Sequence, residues 1–264
     1  MTSIAGKIVW ITGASSGIGE ALAYAFAKER ASLVLSARNI EKLELVRKKC
    51  LEYTSGCKIQ KIDLLDVEHL SDVVLAVQEQ TGGVDILVNN AGRSQRSWAI
   101  ETPFENDRQI MELNFFAVVR LTKLILPKML GRKSGHLVVV SSITGKFGFP
   151  MRTAYSASKH ALQGYFEALR AELTDHNIKV TIVSPGRIQT NISLNALTET
   201  GEAHSKMDDG QANGMDVGIC ARKIVKAVKK ERKDILVGRK ELLMVYIRRF
   251  LPALFYKLST KIKN

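Results

Sequence analysis

The sequence predicts an α/β fold: a single domain, residues 1–264, built on a doubly wound, seven-stranded parallel sheet with helices on both faces. Three observations predict it. Seven short apolar or β-branched runs alternate with segments of helical spacing, the pattern of right-handed β-α-β units. Several runs, such as LVVV at 137–140, are apolar throughout, as strands buried on both faces are. Gly13, Asn90, Ser142 and Pro185 each fall just after a run, so a parallel sheet would gather them at its carboxyl edge, where ligands bind.

The first run, KIVWIT (7–12), leads into TGASSGIG (12–19) and then a helix spaced by Ala21, Leu22, Ala25 and Phe26. Gly13, Gly17 and Gly19 permit a tight turn and close backbone approach. Ser15, Ser16 and Ile18 stand between them, and the helix start offers free N–H groups and a positive dipole end to a pyrophosphate. The spacing is G-x-x-x-G-x-G, a variant of the usual dinucleotide fingerprint. The second run, SLVLSA (32–37), ends on neutral Ala37 and is followed by Arg38. An acidic residue there would suit ribose hydroxyls, whereas an arginine suits a 2′-phosphate, so the cofactor read is NADP(H).

Leu43 and Val46 mark the next helix, and KIQKI (58–62) the third strand. Asp63, with Leu64 after it, can accept a hydrogen bond from an adenine amino group or can cap the following helix. DILVNN (85–90) and HLVVVS (136–141) are the fourth and fifth strands, the latter ending at Ser141-Ser142. Tyr155 and Lys159 follow, four apart on one helix face, on a helix continued by Leu162, Phe166 and Leu169. A nearby ammonium favours the phenolate, which brings the phenol toward neutral pH and makes it a usable acid, and Ser142 is placed to hold the reacting oxygen. KVTIVS (179–184) leads to Pro185-Gly186, and DILVG (234–238) is the seventh strand. Residues 187–215 are polar and irregular for longer than a plain connector, which reads as a lid or binding loop, or as disorder without ligand.

The chain has 264 residues, 45% of them hydrophobic, which is enough for one substantial core. No signal-like or membrane-spanning stretch is read, and Cys50, Cys57 and Cys220 have neither even number nor metal-ligand spacing, so the reading is reduced thiols, no metal and a cytoplasmic setting. The charge is uneven. Residues 1–220 carry 25 basic and 23 acidic side chains, and residues 221–264 carry 14 and 3. No aromatic-basic interleaving supports nucleic acid as partner. From about 240 the chain is apolar as well as basic, with Pro252 dividing two short helices and Phe250, Leu254, Leu258 and Ile262 at four-residue spacing. That pattern fits a peripheral contact with an anionic membrane surface and fits equally packing against the body or another subunit.

TGASSGIG, the NNAG at 89–92, Asn114, Ser142, Tyr155-x-x-x-Lys159 and Pro185-Gly186, in this order, resemble the short-chain dehydrogenase/reductase family over nearly the whole chain. The resemblance implies a Rossmann-type fold and NAD(P)-dependent interconversion of a carbonyl and an alcohol. It implies Tyr155 as general acid/base, Lys159 lowering its pKa and binding the nicotinamide ribose, Ser142 positioning the carbonyl, and Asn114 supporting a proton relay. Asn90 would steady the central strand beside the cofactor, Ile188 and Thr190 match positions that meet the nicotinamide carboxamide, and family habit suggests a homodimer or homotetramer. RTAYSASKHAL (152–162) and SPGRIQTNISLNA (184–196) are similar to the dehydrogenase/reductase member 7 branch, which implies a hydrophobic, lipid-like substrate. Animal members of that branch carry an N-terminal membrane anchor, which is not read here, so their location and substrate do not simply transfer. An epimerase or dehydratase would need a longer C-terminal domain, and a hydrolase would need a G-x-S-x-G elbow around Ser142. A nucleotide-binding or membrane-associated protein with lost turnover is the remaining alternative, against which the intact Ser142, Tyr155, Lys159 and Asn114 set argues.

Overall fold

In a computed structural model, which describes residues 2–260, the seven runs form β1 (Ile8–Thr12), β2 (Ser32–Ala37), β3 (Cys57–Lys61), β4 (Ile86–Asn89), β5 (Gly135–Val140), β6 (Ile178–Pro185) and β7 (Asp234–Val237). Each strand end lies within one residue of its expected place. All pair in parallel, in the order β3-β2-β1-β4-β5-β6-β7. The chain therefore runs outward from β1 to one edge, returns to β4 beside β1, and continues to the other edge. The reversal opens a crevice between the carboxyl ends of β1 and β4, where a doubly wound sheet binds its ligand.

The helices are α1 (Gly17–Lys28), α2 (Ile40–Cys50), α3 (Leu70–Thr81), α4 (Phe104–Met111), α5 (Ala117–Gly131), α6 (Thr153–Glu172), the single turn α7 (Asp209–Ala212), α8 (Val217–Lys229), α9 (Leu243–Phe250) and α10 (Pro252–Ser259). Alternation within the strands sends Val9, Ile11, Leu33 and Leu35 to one face. There they meet Leu22 and Phe26 of α1, Val46 of α2 and Ile224 and Val228 of α8. Trp10, Val34, Leu87 and Val139 point to the other face and meet Val77 of α3, Leu121 and Ile125 of α5 and Phe166 of α6. Burying both faces is what requires strands apolar on both sides. The Trp10 indole N–H buried here is paired, donating to Ser36 Oγ at 2.8 Å.

Residues 187–215 are irregular, as the sequence suggests, but they lie against the body through specific bonds. Leu197 N–H donates to Ser94 O, and Arg96 N–H to Leu197 O, each at 2.8 Å, while Met215 N–H returns to Arg187 O at 2.8 Å.

The C-terminal segment divides at Pro252 as expected, but the side chain that anchors it is Phe255, not the stripe at four-residue spacing. Phe255 packs on Phe147 and Ile143, and Met244, Val245 and Ile247 of α9 join the same cluster. Phe250 and Leu254 of that stripe remain exposed, and Ile262 lies outside the described residues. The extended turn at Leu251 rotates α10 relative to α9, so a spacing counted across the break selects no single face. Among the described residues, no helix is long and apolar enough to cross a membrane.

Candidate active site

The crevice is floored by the turn after β1. Gly13 and Gly17 have φ of +65° and +59°, a region that disfavours side chains. A Cβ on Gly13 would come within 2.9 Å of Ala91 Cα, and one on Gly19 would collide with the Gly13 carbonyl. The missing side chains thus let backbone lie on backbone, leaving the N-terminus of α1 open toward the cleft. Asn90 holds this floor from the neighbouring strand, its Nδ2 donating to Thr12 O at 3.0 Å and to Gly13 O at 3.3 Å. Thr12 Oγ1 in turn accepts from the backbone N–H groups of Asn90 and Ala91, at 3.1 and 3.2 Å.

A cleft of about 590 Å³ opens above this floor. Gly13, Ser15, Ser16, Gly17, Ile18 and Asn90 line its base, and Pro185, Gly186, and Ile188 and Thr190 at the start of the 187–215 segment, line its side. Gly19 is tucked beneath the turn. At the far end, Arg38, Asp63 and Leu64 also line the cleft. Asp63 Oδ1 accepts from Leu65 N–H at 3.1 Å in a local turn, and α3 begins only at Leu70, so Asp63 is not that helix's cap. Two cations the sequence reading did not single out stand with Arg38. Lys42 follows Asn39, whose side chain caps α2, and Arg93 lies close enough to Arg38 that burial, aided by that like charge, lowers its pKa. Lys42 was legible, one turn beyond Arg38, whereas Arg93 arrives from β4 and was not.

Tyr155 and Lys159 sit in the first turns of α6, both buried, and both line the cleft. Lys159 Nζ donates to Val140 O, the last residue of β5, at 2.9 Å. Burial pushes its pKa down to about 8. Ser142 lies two residues beyond β5, its Oγ accepting from Thr144 N–H at 3.1 Å, and its hydroxyl acts on the Tyr155 phenol. Burial raises the Tyr155 pKa. Ser142 and the charges of Arg96 and Arg152 work in the opposite direction. The expectation that the Lys159 ammonium brings the phenol toward neutral pH is therefore not met in this arrangement. Burial wins, and the opposing cations come from elsewhere in the chain.

Asn114 is fully buried in a π-helical turn, Glu112–Phe116, between α4 and α5. Such turns occur often at functional sites because the extra residue re-aims a side chain. Its Oδ1 accepts from Arg93 N–H at 2.8 Å, while Nδ2 donates to Arg93 O at 2.9 Å and to Ser158 Oγ at 3.1 Å. It stands behind the cleft wall, linking the strand that holds the cradle to the helix that carries Lys159.

The sequence reading also passed over a buried polar cluster at the substrate end: Gln95, Arg96, Arg152 and Asp208. Gln95 Oε1 accepts from Ala154 N–H at 2.9 Å and Tyr155 N–H at 3.4 Å, occupying donors that the start of α6 leaves unpaired.

The family model described as short chain dehydrogenase matches residues 7–200. A dehydrogenase/reductase SDR family protein 7-like of Anopheles gambiae is 44% identical over 262 residues, covering 97% of this chain and 83% of that one. A dehydrogenase/reductase SDR family member 7B of Mus musculus is 41% identical over 256 residues, covering 95% and 79%. Among solved structures, a short-chain dehydrogenase from Streptomyces avermitilis superposes with a TM-score of 0.82 at 30% identity, covering 97% of this chain and 96% of that one. With the glycine cradle, the buried Tyr155–Lys159 pair and the seven-stranded parallel sheet in place, these matches make the chain a member of the short-chain dehydrogenase/reductase family of oxidoreductases.

Proposed function

We propose that this single nucleotide-binding domain interconverts a carbonyl and an alcohol with NADP(H), Tyr155 acting as general acid/base. The observation that carries the reading is the placement of Tyr155: a buried phenol acted on by the Ser142 hydroxyl, one helical turn from Lys159, in the same cleft as the glycine cradle. The residues present fit a dinucleotide. Gly13, Gly17 and Gly19 leave the space a pyrophosphate needs at the α1 N-terminus, and Arg38, with Lys42 and Arg93 near it, offers guanidinium and ammonium donors to a 2′-phosphate. When bound, NADP(H) supplies or accepts the hydride.

The chain's own groups handle the proton and the oxygen. In the reducing direction Ser142 and Tyr155 donate hydrogen bonds to the carbonyl oxygen, stabilising the negative charge that grows on it, and Tyr155 gives up its proton. Burial favours the neutral phenol, the form needed to protonate an alkoxide. Lys159 contributes positive charge from one turn away, and Asn114 fixes its helix through Ser158. Ile143 and Phe149 give the cleft an apolar wall, in keeping with a hydrophobic substrate.

That wall is shared with the C-terminal helices. The inward sides of α9 and α10 pack against Ile143, Phe147 and Phe149, while Leu243, Tyr246, Phe250, Leu251 and Leu254 face outward, 42–68% exposed. Arg249 and Lys257 flank them, and between residues 239 and 260 only Glu241 is acidic. A peripheral contact with an anionic membrane, close to the cleft, matches both the exposed apolar side chains and the charge.

Tyr155→Phe is expected to bind NADPH as the parent does and to lose at least about 10²-fold in turnover, because it removes the acid and leaves the ring. Fluorescence titration beside a rate assay checks this, and a variant with most of the parent rate would remove Tyr155 from the acid's role. Arg38→Asp should weaken NADPH far more than NADH, read as the ratio of kcat/KM for the two cofactors. An unchanged ratio would mean that Arg38 does not meet the phosphate. The full chain should co-sediment with phosphatidylserine vesicles at low salt and release at high salt, and the double variant Phe250→Asp, Leu254→Asp should lose binding while keeping its fold. Equal non-binding by parent and variant would rule out the membrane contact.

A further inference from the structure

The 187–215 segment meets the start of α6 through Leu197, which packs on Ala154, and through one charged side chain, Asp208. Asp208 immediately precedes α7, and its carboxylate lies between two guanidiniums. Oδ2 accepts from Arg96 Nη2 at 2.5 Å and Nε at 3.1 Å, and from Arg152 Nη2 at 3.1 Å. Arg96 comes from the loop after β4, and Arg152 is the residue before α6. The three side chains are only 3%, 10% and 9% exposed, for Arg96, Arg152 and Asp208.

Burying three charges is not explained by stability. Desolvation offsets most of the attraction within such a cluster, and apolar side chains of similar volume often serve as well or better. Its position suggests another role. Arg96 Nη1 donates to Ser94 Oγ at 2.8 Å and Gln95 O at 2.6 Å, and the Gln95 side chain holds the N–H groups of Ala154 and Tyr155. A path of direct bonds thus runs from the segment, through Arg96 and Gln95, to the turn bearing Tyr155. The same loop carries the segment's backbone contacts at Ser94 and Arg96.

The cluster is also electrostatically linked to the phenol. Both guanidiniums favour phenolate, and Asp208 is the negative charge set between them. Among the described residues, Lys159 on the same helix and Arg93 and Arg187 also line the cleft with Tyr155, and His204 of the segment, with Lys206 beside it, faces the Arg96–Asp208–Arg152 cluster.

We propose that Asp208 is a positioning residue for Tyr155: seating of the 187–215 segment places its carboxylate on Arg96 and Arg152, fixing the charge and the helix-end geometry that tune the strength of the Tyr155 acid. The inference rests on the reading of Tyr155 as acid/base and adds a control to it. With the segment seated, the Asp208 carboxylate offsets part of the two guanidinium charges. With it unseated, more of that charge acts on the phenol and its titration moves toward acid, while burial still favours the neutral form.

The test needs no substrate. The phenolate absorbance of the full chain, with NADPH added, is titrated with pH and the Tyr155→Phe curve subtracted in each background, which isolates Tyr155. Asp208→Asn should move this titration toward acid by about 1 pH unit. Arg96→Met should move it toward alkali, and Asp208→Glu should return it near the parent. Should Arg96→Met fail to fold, the contrast between Asn and Glu at position 208 decides alone. A Tyr155 titration that is the same in Asp208→Asn, Asp208→Glu and parent, with only protease cleavage within 187–215 increased, would make Asp208 a structural pin and overturn the proposal. Turnover by Tyr155→Phe is a separate readout. If it persists while the titration shifts, the acid/base reading fails and the electrostatic link stands. If it is lost while the titration stays fixed, the link alone fails.

Discussion

The side chain of Asn90 holds the two halves of the site in register. Parallel strands present their carboxyl ends side by side, but pairing between β1 and β4 stops at Ile11 and Val88. Beyond that point Asn90 supplies what the ladder no longer does, donating to Thr12 O and Gly13 O while Thr12 Oγ1 accepts from its backbone. Each such bond contributes about 0.5–1.5 kcal/mol net, and removing a partner costs more, because the buried carbonyls would lose their donor. The cradle depends on it: Gly13 can lie against Ala91, and Gly19 beneath Gly13, only while β4 is held at this distance.

From there the constraint passes to α6, which carries Tyr155 and Lys159, in two branches. Two residues beyond Ala91, the backbone of Arg93 is gripped at both N–H and C=O by Asn114, whose remaining bond reaches Ser158 beside Lys159. Three residues further on, Arg96 and Gln95 reach the start of the same helix. The chain between β4 and α4 is therefore a brace between the glycine turn and the helix that carries Tyr155, and the π-helical turn aims Asn114 at it. Preorganisation of this kind places polar groups where charge develops, without reorientation during the reaction.

Much of this was legible in sequence where physics is local. Strand periodicity located all seven strands because both faces of each central strand are buried, and the glycines were legible because only missing side chains allow that turn. Tyr155 and Lys159 were legible because a four-residue spacing on a helix is a spatial statement. Arg96 and Asp208 were not. They stand 112 residues apart, and an arginine in a loop reads as solvated until the fold buries it against a carboxylate. Phe255 was missed for a related reason, since the break before Pro252 changes which residues share a face. The direction of the Tyr155 shift was missed because burial is a property of the whole fold, and it outweighs Ser142 and the two arginines, Arg96 and Arg152, that oppose it.

The central claim is that these groups serve a hydride transfer to a carbonyl carbon, and isotopic labelling tests it most directly. The full chain is incubated with a ketone it reduces and with NADPH carrying deuterium at one or the other face of nicotinamide C4, and the product alcohol is analysed by mass spectrometry. A cleft that fixes the cofactor against Tyr155 predicts deuterium on the carbinol carbon from one labelled face only, and none from deuterated water at that carbon. Label from both faces, or carbinol deuterium arriving from solvent, would contradict it.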